Sequence, residues 1–259
     1  MTKYQQLWKM NNNYQVWKTA ELSQKYLSGI RSAIPLATEQ IDIILRIIQT
    51  TKSQVNNFLD LGCGDGILGQ AILSQYPHSQ GVFLDFSEAM IEAAKSKVAD
   101  NYQGDFEFIT QDYGLPEWVN KVQEKAPFDV VVSGFSIHHQ PDTRKQEIYQ
   151  EIYQLLKPGG LFLNLEHVAS PSELIEQLFN ELFVDSLYAF HQSQDTNKSR
   201  EEINQQYYNR PDKTANILVP VETQCNWLRK IGFIHVDCFM KLFEIALFGG
   251  IKPELQVEM

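Results

Sequence analysis

The sequence predicts an α/β fold with a mostly parallel sheet covered by helices on both faces. Between residues 56 and 168, short runs rich in Val, Phe, Leu and Ile alternate with segments of helical periodicity. The runs are almost continuously apolar, which is typical of strands that helices cover on both sides. The predicted strands are 56–62, 81–86, 106–110, 128–135 and 160–168.

The segments between these strands are predicted to be helices. Ser87 is a plausible N-cap for the second helix. The run 157–160, Lys-Pro-Gly-Gly, is expected to stop the fourth, because Pro cannot continue a helix and Gly tolerates a left-handed exit. Strand–helix alternation of this kind implies right-handed crossovers and therefore parallel strands. The predicted helices are 67–76, 87–98, 116–126 and 143–156.

The C-terminal fifth has a different pattern. Residues 221–233 read as a helix that ends at Gly232. The runs 233–243 and 244–251 follow with almost no linker between them, which predicts a closing antiparallel hairpin. Its apolar second strand also suits a homodimer interface.

The chain is expected to divide into a core and helical additions. Ligands of open α/β sheets bind at the carboxyl ends of the strands, so an insertion after the fifth strand is expected to lie over that edge. The predicted units are a helical N-terminal cap (1–55), a ligand-binding α/β core (56–168), an inserted helical cap (169–220), and a helix with the hairpin that completes the sheet (221–259).

Composition excludes several classes of function. The net charge of −10 and the sequence pI of about 5.1 disfavour a nucleic-acid partner, which binds through Lys and Arg. The longest apolar stretches are too short to span a bilayer, and the first residues lack a signal-peptide pattern, so a cytoplasmic location is expected. The three cysteines are widely separated and predict neither a disulfide framework nor a metal site.

The stretch FLDLGCGDG, residues 58–66, identifies the ligand class. Glycine-rich turns after strands usually hold phosphates. Here Asp60 precedes the glycines and Asp65 stands among them, and both carboxylates would repel a pyrophosphate. S-adenosylmethionine carries an ammonium and a sulfonium and has no phosphate, so it reverses that argument. Asp60 alone is equally explained as a cap of the turn.

Two further acids follow the next two strands. Asp85 ends the second strand, where a carboxylate can accept both hydroxyls of a ribose. Asp112 follows the third strand and can accept from an adenine amino group. A helix N-terminal charge is the alternative role of Asp85. Together with Asp60, these acids would contact the ammonium side, the ribose and the base of one ligand.

These segments together resemble the class I S-adenosylmethionine-dependent methyltransferases. The resemblance covers FLDLGCGDG, GVFLDFSEAMIEAA, TQDYG, FDVVVSGFSIHH and LLKPGG, in order and spacing, over roughly 56–168. It implies a Rossmann-like sheet of seven strands, the last of them antiparallel, in agreement with the hairpin predicted from the C-terminal pattern. S-adenosyl-L-methionine is the cofactor that the resemblance implies.

The resemblance also assigns cofactor contacts by position. Gly62 and Gly64 would line the methionine moiety with Asp60 nearby, and Asp85 would hold the ribose. Met90 would flank the adenine. The remaining predicted cofactor-binding residues are Asp112 and Tyr113 at the base, Ser133 near the transferred methyl, and the adjacent Cys63, Phe86 and Gln111.

Methyl transfer from a sulfonium needs mainly alignment, with a general base in some cases, so no nucleophile is expected. The candidate catalytic residues are Glu166, His138 and Tyr207. Structural roles for His138 and Glu166 stay open at this point. Arg210 is a candidate for binding an anionic acceptor, or equally for fixing the inserted segment to an acidic surface.

The predicted function is methyl transfer to a small-molecule acceptor enclosed under the inserted cap. An alternative is suggested by residues 200–252 and 32–41, which are similar to carboxy-S-adenosylmethionine synthases, enzymes that convert the cofactor itself with prephenate. The glycine run, SGFSIHH and YYNRPDK depart from the synthase pattern. A cofactor-binding protein without turnover is the third alternative. The glycine spacing disfavours a nicotinamide-dependent dehydrogenase.

Overall fold

The computed structural model describes residues 30–254 of the 259-residue chain. Most of the predicted N-terminal cap, residues 1–29, lies outside the described residues, as do residues 255–259. The described part of that unit begins with a 3-10 turn, Ile30–Ala33, followed by the helix α1, Ala37–Thr51.

A sheet of seven strands forms the centre of the fold, in the order β3-β2-β1-β4-β5-β7-β6. The pairs among β1 to β5 are parallel, and β7 is antiparallel to both β5 and β6. The prediction of a mostly parallel sheet with a closing antiparallel hairpin is therefore confirmed. The strands are β1 (Asn57–Leu61), β2 (Gln80–Asp85), β3 (Phe106–Thr110), β4 (Phe128–Gly134), β5 (Leu156–His167), β6 (Ile234–Leu242) and β7 (Ile245–Ile251).

Helices cover both faces of the sheet. Apolar residues of α1, α2 and α3 pack on one face, and those of α4, α5 and α8 pack on the other. This arrangement explains why the central strands carry almost uninterrupted apolar runs. After α1, the helices are α2 (Ile67–Gln75), α3 (Glu88–Asn101), α4 (Trp118–Val122), α5 (Asp142–Leu155), α6 (Glu173–Ser193), α7 (Arg200–Tyr208) and α8 (Val221–Ile231).

The parallel strands end at a common edge. Leu61 at the end of β1 is paired with Leu84 and with Ser133. Gly134 at the end of β4 is paired with Leu165 near the end of β5. Residues that follow these strands therefore converge, although they are far apart in sequence.

The inserted segment after β5 forms α6 and α7, which pack against each other. Ser172 caps α6, and Ser199 and Glu202 form a capping box at the start of α7. Val184, Leu187, Ile203 and Tyr207 build a small apolar cluster with Ala33. Phe179 of α6 joins the core on one sheet face, which anchors the insertion to the sheet.

Two element boundaries differ from the sequence-based prediction. The predicted helix 116–126 is reduced to the five residues of α4. The strand β5 begins at Leu156, so the run 157–160 lies within the strand and α5 ends before it. Backbone bonds explain the second difference, because Gly159 N–H donates to Lys252 O at 2.9 Å and Lys252 N–H donates to Gly160 O at 2.8 Å.

Candidate functional site

The glycine loop joins β1 to α2 at the common strand edge. Gly62, Gly64 and Gly66 have φ values of +67°, +54° and +80°, a region that residues with a side chain rarely adopt. The amides of Gly62 and Cys63 donate to Leu84 O at 2.7 and 3.0 Å. The loop is thereby fixed to the end of β2, beside Asp85.

Asp60 near the end of β1 and Asp65 in the loop each keep one oxygen without a partner. Asp60 Oδ2 accepts the amide of Gly69 in α2 at 2.8 Å, and Asp65 Oδ2 pairs with Lys97 Nζ at 2.6 Å. Among residues 30–254, the buried Oδ1 atoms of Asp60 and Asp65 have no hydrogen-bond partner. Burial raises the pKa of Asp60 to about 8. Both oxygens are suited to a cationic donor, because buried polar atoms are costly when unpaired.

Asp85 is buried at the end of β2 and retains acceptor capacity. Its Oδ1 accepts Ser87 N–H at 2.8 Å and its Oδ2 accepts Gly64 N–H at 2.9 Å. Burial raises the pKa of Asp85 to about 6, so the carboxylate is mainly ionised at pH 7. A carboxylate has about four acceptor positions, and since the Phe86 amide also bonds to Asp85, at least one position remains for a ribose hydroxyl.

Tyr113 and Ser136 lie over the glycine loop. The Tyr113 hydroxyl and Ser136 Oγ are 2.5 Å apart. A Cβ atom on Gly62 would lie 1.9 Å from Ser136 Oγ, so the glycine at this position is required by a neighbour within the protein. Arg144 Nη2 donates to Tyr113 O at 2.8 Å and so ties this loop to α5.

The other predicted cofactor residues occupy this neighbourhood in different ways. Asp112 is half-buried, and its Oδ1 accepts Gly114 N–H at 2.8 Å. Ser133 is fully buried, and its hydroxyl donates to Leu61 O at 2.7 Å, between β4 and β1. Met90 and Cys63 are buried, whereas Phe86 and Gln111 are half-buried.

Glu166 and His138 form what we call the sealed pair. His138 Nδ1 is 2.5 Å from Glu166 Oε1, and the His138 amide donates to Glu166 Oε2 at 3.0 Å. Glu166 has no exposed surface, and His138 has 6%. Burial raises the pKa of Glu166 to about 7 and lowers the pKa of His138 well below its usual value. Both shifts favour uncharged forms. Asn216, which lines the cavity described next, is hydrogen-bonded to the His138 side chain.

His167 and Glu244 form a second pair, which we call the open pair. His167 Nε2 is 2.7 Å from Glu244 Oε2, and Ser170 Oγ donates to Glu244 Oε1 at 2.6 Å. Glu244 lies in the turn between β6 and β7. Both members of the pair line a cavity of about 410 Å³, which we call the strand-end cavity, and its wall also includes Ser170, Asn180, Tyr207 and Arg210.

Tyr207 and Arg210 are held together at the end of α7. The Tyr207 hydroxyl donates to Asn180 Oδ1 at 2.9 Å, and Arg210 Nη1 donates to Tyr207 O at 2.7 Å. The Arg210 guanidinium carbon lies 4.1 Å from the centre of the Tyr207 ring. Arg210 Nε is also 3.3 Å from Asp212 Oδ2. These contacts orient Arg210 at the cavity wall.

Of the candidate catalytic residues, the structure brings only Glu166 and His138 into contact with each other. Tyr207 lines the strand-end cavity, on whose wall neither member of the sealed pair is found. Sequence reasoning missed Ser136, His167 and Glu244. Strand alternation was the available signal for His167, since consecutive strand residues point to opposite faces. Glu244 had no such signal, because its position depends on the packing of the hairpin turn.

The described part of the chain has neither a membrane-spanning helix nor a metal-binding cluster. No helix between residues 30 and 254 is both long and apolar enough to cross a membrane. Within the same residues, no group of three or more His, Cys, Asp or Glu side chains is arranged to hold a metal ion.

The site has the chemistry that S-adenosylmethionine requires. The unpartnered oxygens of Asp60 and Asp65 suit its ammonium group, and the remaining acceptor capacity of Asp85 suits its ribose. The loop itself, residues 62–66, contains no Lys or Arg, and the nearby Lys97 is paired with Asp65.

Comparison with known proteins gives the same result. Residues 59–162 match a family model described as a methyltransferase domain. A malonyl-[acyl-carrier protein] O-methyltransferase of Ilyobacter polytropus is 32% identical over 119 residues, which are 46% of this chain and 42% of that protein. A carboxy-S-adenosyl-L-methionine synthase of Desulfotalea psychrophila is 24% identical over 227 residues, 86% of each chain.

The fold is also found among solved structures. A putative S-adenosyl-L-methionine-dependent methyltransferase of Methanococcus maripaludis has a TM-score of 0.56 and 21% identity, over 93% of this chain and 96% of that one. The sheet order, the acids around the glycine loop and these matches lead to one assignment. Residues 59–162 are therefore a methyltransferase domain, and S-adenosylmethionine is the cofactor that this domain and the acids around the glycine loop indicate.

Proposed function

We propose that the protein transfers a methyl group from S-adenosylmethionine to a small molecule held in the strand-end cavity. The observation that carries the proposal is the position of this cavity, between the end of β5 and the inserted helices α6 and α7. In the sheet, β5 is two strands from β1, a separation of roughly 10 Å. A molecule in the cavity is thus near the cofactor without competing for its site.

One set of residues binds the cofactor, and the inserted segment encloses the acceptor. Asp60 and Asp65 bind the ammonium end of the cofactor, Asp85 its ribose and Asp112 its base. When bound, S-adenosylmethionine supplies an electrophilic methyl group. The segment 169–220 acts as a cap that excludes water and aligns the acceptor, which is the main requirement of an in-line displacement.

Arg210 and Lys213 are the cations of a cavity wall that also carries three glutamates, and they are the residues that would bind an anionic group of the acceptor. Both residues line the strand-end cavity. The stacking of Arg210 on Tyr207 and its contact with Asp212 hold the guanidinium plane in one orientation. A fixed guanidinium suits a carboxylate, which it can bind through parallel hydrogen bonds.

A second candidate function is conversion of the cofactor itself, as in the carboxy-S-adenosylmethionine synthases. The observation in its favour is that the similarity to the Desulfotalea psychrophila protein extends over 86% of both chains. The cations of the cavity also suit a substrate with carboxylates. Binding of the cofactor without turnover is the remaining candidate.

Calorimetry with S-adenosylhomocysteine tests whether the protein binds the cofactor at the predicted acids. We expect Asp85→Asn to weaken binding by about 10- to 100-fold, because a hydrogen bond to a charged group contributes about 1.5–3 kcal/mol. Asp105→Asn is the matched control, since Asp105 is exposed and pairs with Lys125. If the wild type does not bind the ligand at millimolar concentration, the proposal is wrong.

Mass spectrometry then separates the three candidates. The purified protein is incubated with S-adenosylmethionine and a panel of small carboxylic acids. The masses of the resulting nucleosides and acids are then measured. A methylated acid with S-adenosylhomocysteine supports the proposal. A carboxylated nucleoside formed with prephenate supports the synthase function. Bound S-adenosylmethionine that stays unchanged throughout supports a binding protein.

A further inference from the structure

The open pair is the feature of the strand-end cavity that is equipped for proton transfer. Both of its residues line the cavity, and Glu244 is only 4% exposed. The two Glu244 oxygens accept from different donors, His167 Nε2 at 2.7 Å and Ser170 Oγ at 2.6 Å. The backbone carbonyl of Glu244 also accepts Val168 N–H at 2.7 Å, which fixes the hairpin turn to the chain after β5.

This arrangement determines the tautomer of His167. An ionised carboxylate only accepts hydrogen bonds, so the proton of a neutral His167 ring lies on Nε2. The lone pair is then on Nδ1, which has no hydrogen-bond partner among residues 30–254. A phenylalanine of α6, Phe179, packs 5.6 Å from the ring centre and limits its rotation.

We propose that His167 is a general base for a hydroxyl group of the acceptor, and that Glu244 is its positioning residue. The inference rests on the proposed methyl transfer and names its acceptor class as hydroxyl compounds. It differs from the sequence-based candidates, because Glu166 and His138 are not on the cavity wall and their nearest titratable atoms are paired with each other.

The step balances without any further reagent. The acceptor oxygen forms a bond to the methyl carbon as the carbon–sulfur bond breaks, and the sulfur keeps that electron pair. The hydroxyl proton moves to His167 Nδ1. The positive charge is thereby transferred from the sulfonium to the imidazolium, where the Glu244 carboxylate stabilises it. The proton then leaves to water when the cavity opens.

A general base in the cavity indicates the chemical class of the acceptor, because only acceptors that are protonated at neutral pH need one. A carboxylate is ionised at neutral pH and would be methylated without proton removal. An alcohol or phenol is protonated at pH 7, so its oxygen gains nucleophilicity when a base takes the proton. Arg210 supplies a separate contact for a carboxylate, so hydroxybenzoates carry both groups that the cavity recognises.

The test compares His167→Gln with His78→Gln as a matched control. His78 is exposed and precedes the start of β2, at the amino ends of the strands and away from the cavity. Gln preserves polarity but cannot take up a proton at neutral pH. With hydroxybenzoates and dihydroxybenzoates as probes, we expect kcat of His167→Gln to fall about 100-fold with little change in KM. Calorimetric affinity for S-adenosylhomocysteine should stay within about twofold.

Nitrogen-15 NMR of the histidines tests Glu244 independently of activity. In the wild type, we expect the signal of His167 to show a proton on Nε2 and none on Nδ1 at pH 8. Glu244→Gln should mix the two tautomers and lower kcat, and Glu244→Asp should partly restore both.

Each outcome decides the inference. A His167→Gln enzyme with kcat within threefold of the wild type, or a proton on Nδ1 in the wild type, overturns it. A wild type that binds cofactor but methylates only carboxyl, amine or thiol groups overturns the inference and leaves the proposed function intact. A wild type that binds no cofactor removes the proposed function itself.

Discussion

Two acid–histidine pairs begin at consecutive residues of β5 and differ in burial and in access to a cavity, although the His138 and His167 rings lie 5.7 Å apart. The sealed pair joins Glu166 to His138, and Glu166 has no exposed surface. The open pair joins His167 to Glu244 on the wall of a cavity of about 410 Å³. Strand alternation sends the two side chains to opposite faces of the sheet. Chemical type alone therefore says little about role, because the environment on each face decides whether an acid–histidine pair can meet a ligand.

The environments of the two acids also differ. Burial raises the pKa of Glu166 to about 7, so its neutral form is favoured beside a His138 that burial keeps uncharged. Glu244 instead accepts hydrogen bonds from two side chains at the cavity wall. The sealed pair is consequently a structural link between β5 and the turn after β4, whereas the open pair retains an available nitrogen.

The largest expected effect separates the pairs by stability. Glu166→Ala should lower the free energy of unfolding by about 3 kcal/mol, because it leaves the His138 amide and Nδ1 buried without a partner. Glu244→Ala should cost about 1 kcal/mol, since water from the cavity can replace the lost bonds. Urea denaturation of both variants measures the difference. Equal costs, or a larger cost for Glu244→Ala, would contradict the distinction between a sealed and an open pair.

A smaller effect follows from the pKa of Glu166. Below pH 4.5, the carboxyl group is protonated in the folded and the unfolded chain. Between about pH 4.5 and 7, only the folded chain keeps the proton, so the wild-type free energy of unfolding falls as pH rises through this window. Gln does not titrate and resembles the neutral acid. The stability of Glu166→Gln relative to wild type should therefore rise by about 3 kcal/mol from pH 4.5 to 7.5.

Denaturation at several pH values checks this difference directly. Asp60 and Asp85 also have raised pKa values, but both are present in the wild type and in Glu166→Gln, so their contributions cancel. A relative stability that does not change with pH would show that Glu166 is ionised in the folded chain.

A third buried acid, Asp60, extends the comparison to the cofactor site. Asp60→Asn keeps the bond to the Gly69 amide but removes the charge, so we expect cofactor affinity to fall about tenfold, or 1.4 kcal/mol. Burial raises the pKa of Asp60 to about 8 in the protein without cofactor, so binding of an ammonium beside it should release a proton. Wild-type affinity should rise between pH 6.5 and 8.5, and this rise should be absent in Asp60→Asn.

Calorimetry in two buffers of different ionisation enthalpy measures that proton release. Asp105→Asn again serves as the control, and it should keep the wild-type pH dependence. If Asp60→Asn retains both the affinity and its pH dependence, Asp60 acts only as a cap of α2.

The smallest effect concerns the cavity wall beside the open pair. Tyr207→Phe removes the hydrogen bond to Asn180 but keeps the stacking of the ring on Phe183, whose centre is 5.3 Å away. We expect a loss of about 1 kcal/mol in unfolding free energy and no change in cofactor affinity. Thermal unfolding alongside Tyr208→Phe, an exposed neighbour, provides the comparison. A lost activity without lost stability would instead assign Tyr207 a role in the reaction.

Much of the core could be predicted because local patterns determine it. The apolar strands, the helix that ends at Gly232 and the hairpin are all visible as periodicity and turn residues. The glycine loop could be located for the same reason, since positive φ values at Gly62 and Gly64 need glycine. The start of β5 could not, because Gly159 and Gly160 join the sheet through bonds to Lys252, which is distant in sequence.

The sequence by itself determined the fold class, the position of the glycine loop and the acids at the carboxyl ends of successive strands. These follow from spacing, since strands of a parallel sheet end at one edge whatever covers them. Only the tertiary structure decided which of two adjacent strand residues, Glu166 or His167, faces a cavity, and brought Glu244 from the hairpin turn to His167. His167 and Glu244 are far apart in the chain and meet through packing of the whole sheet, so no local sequence pattern predicts their contact.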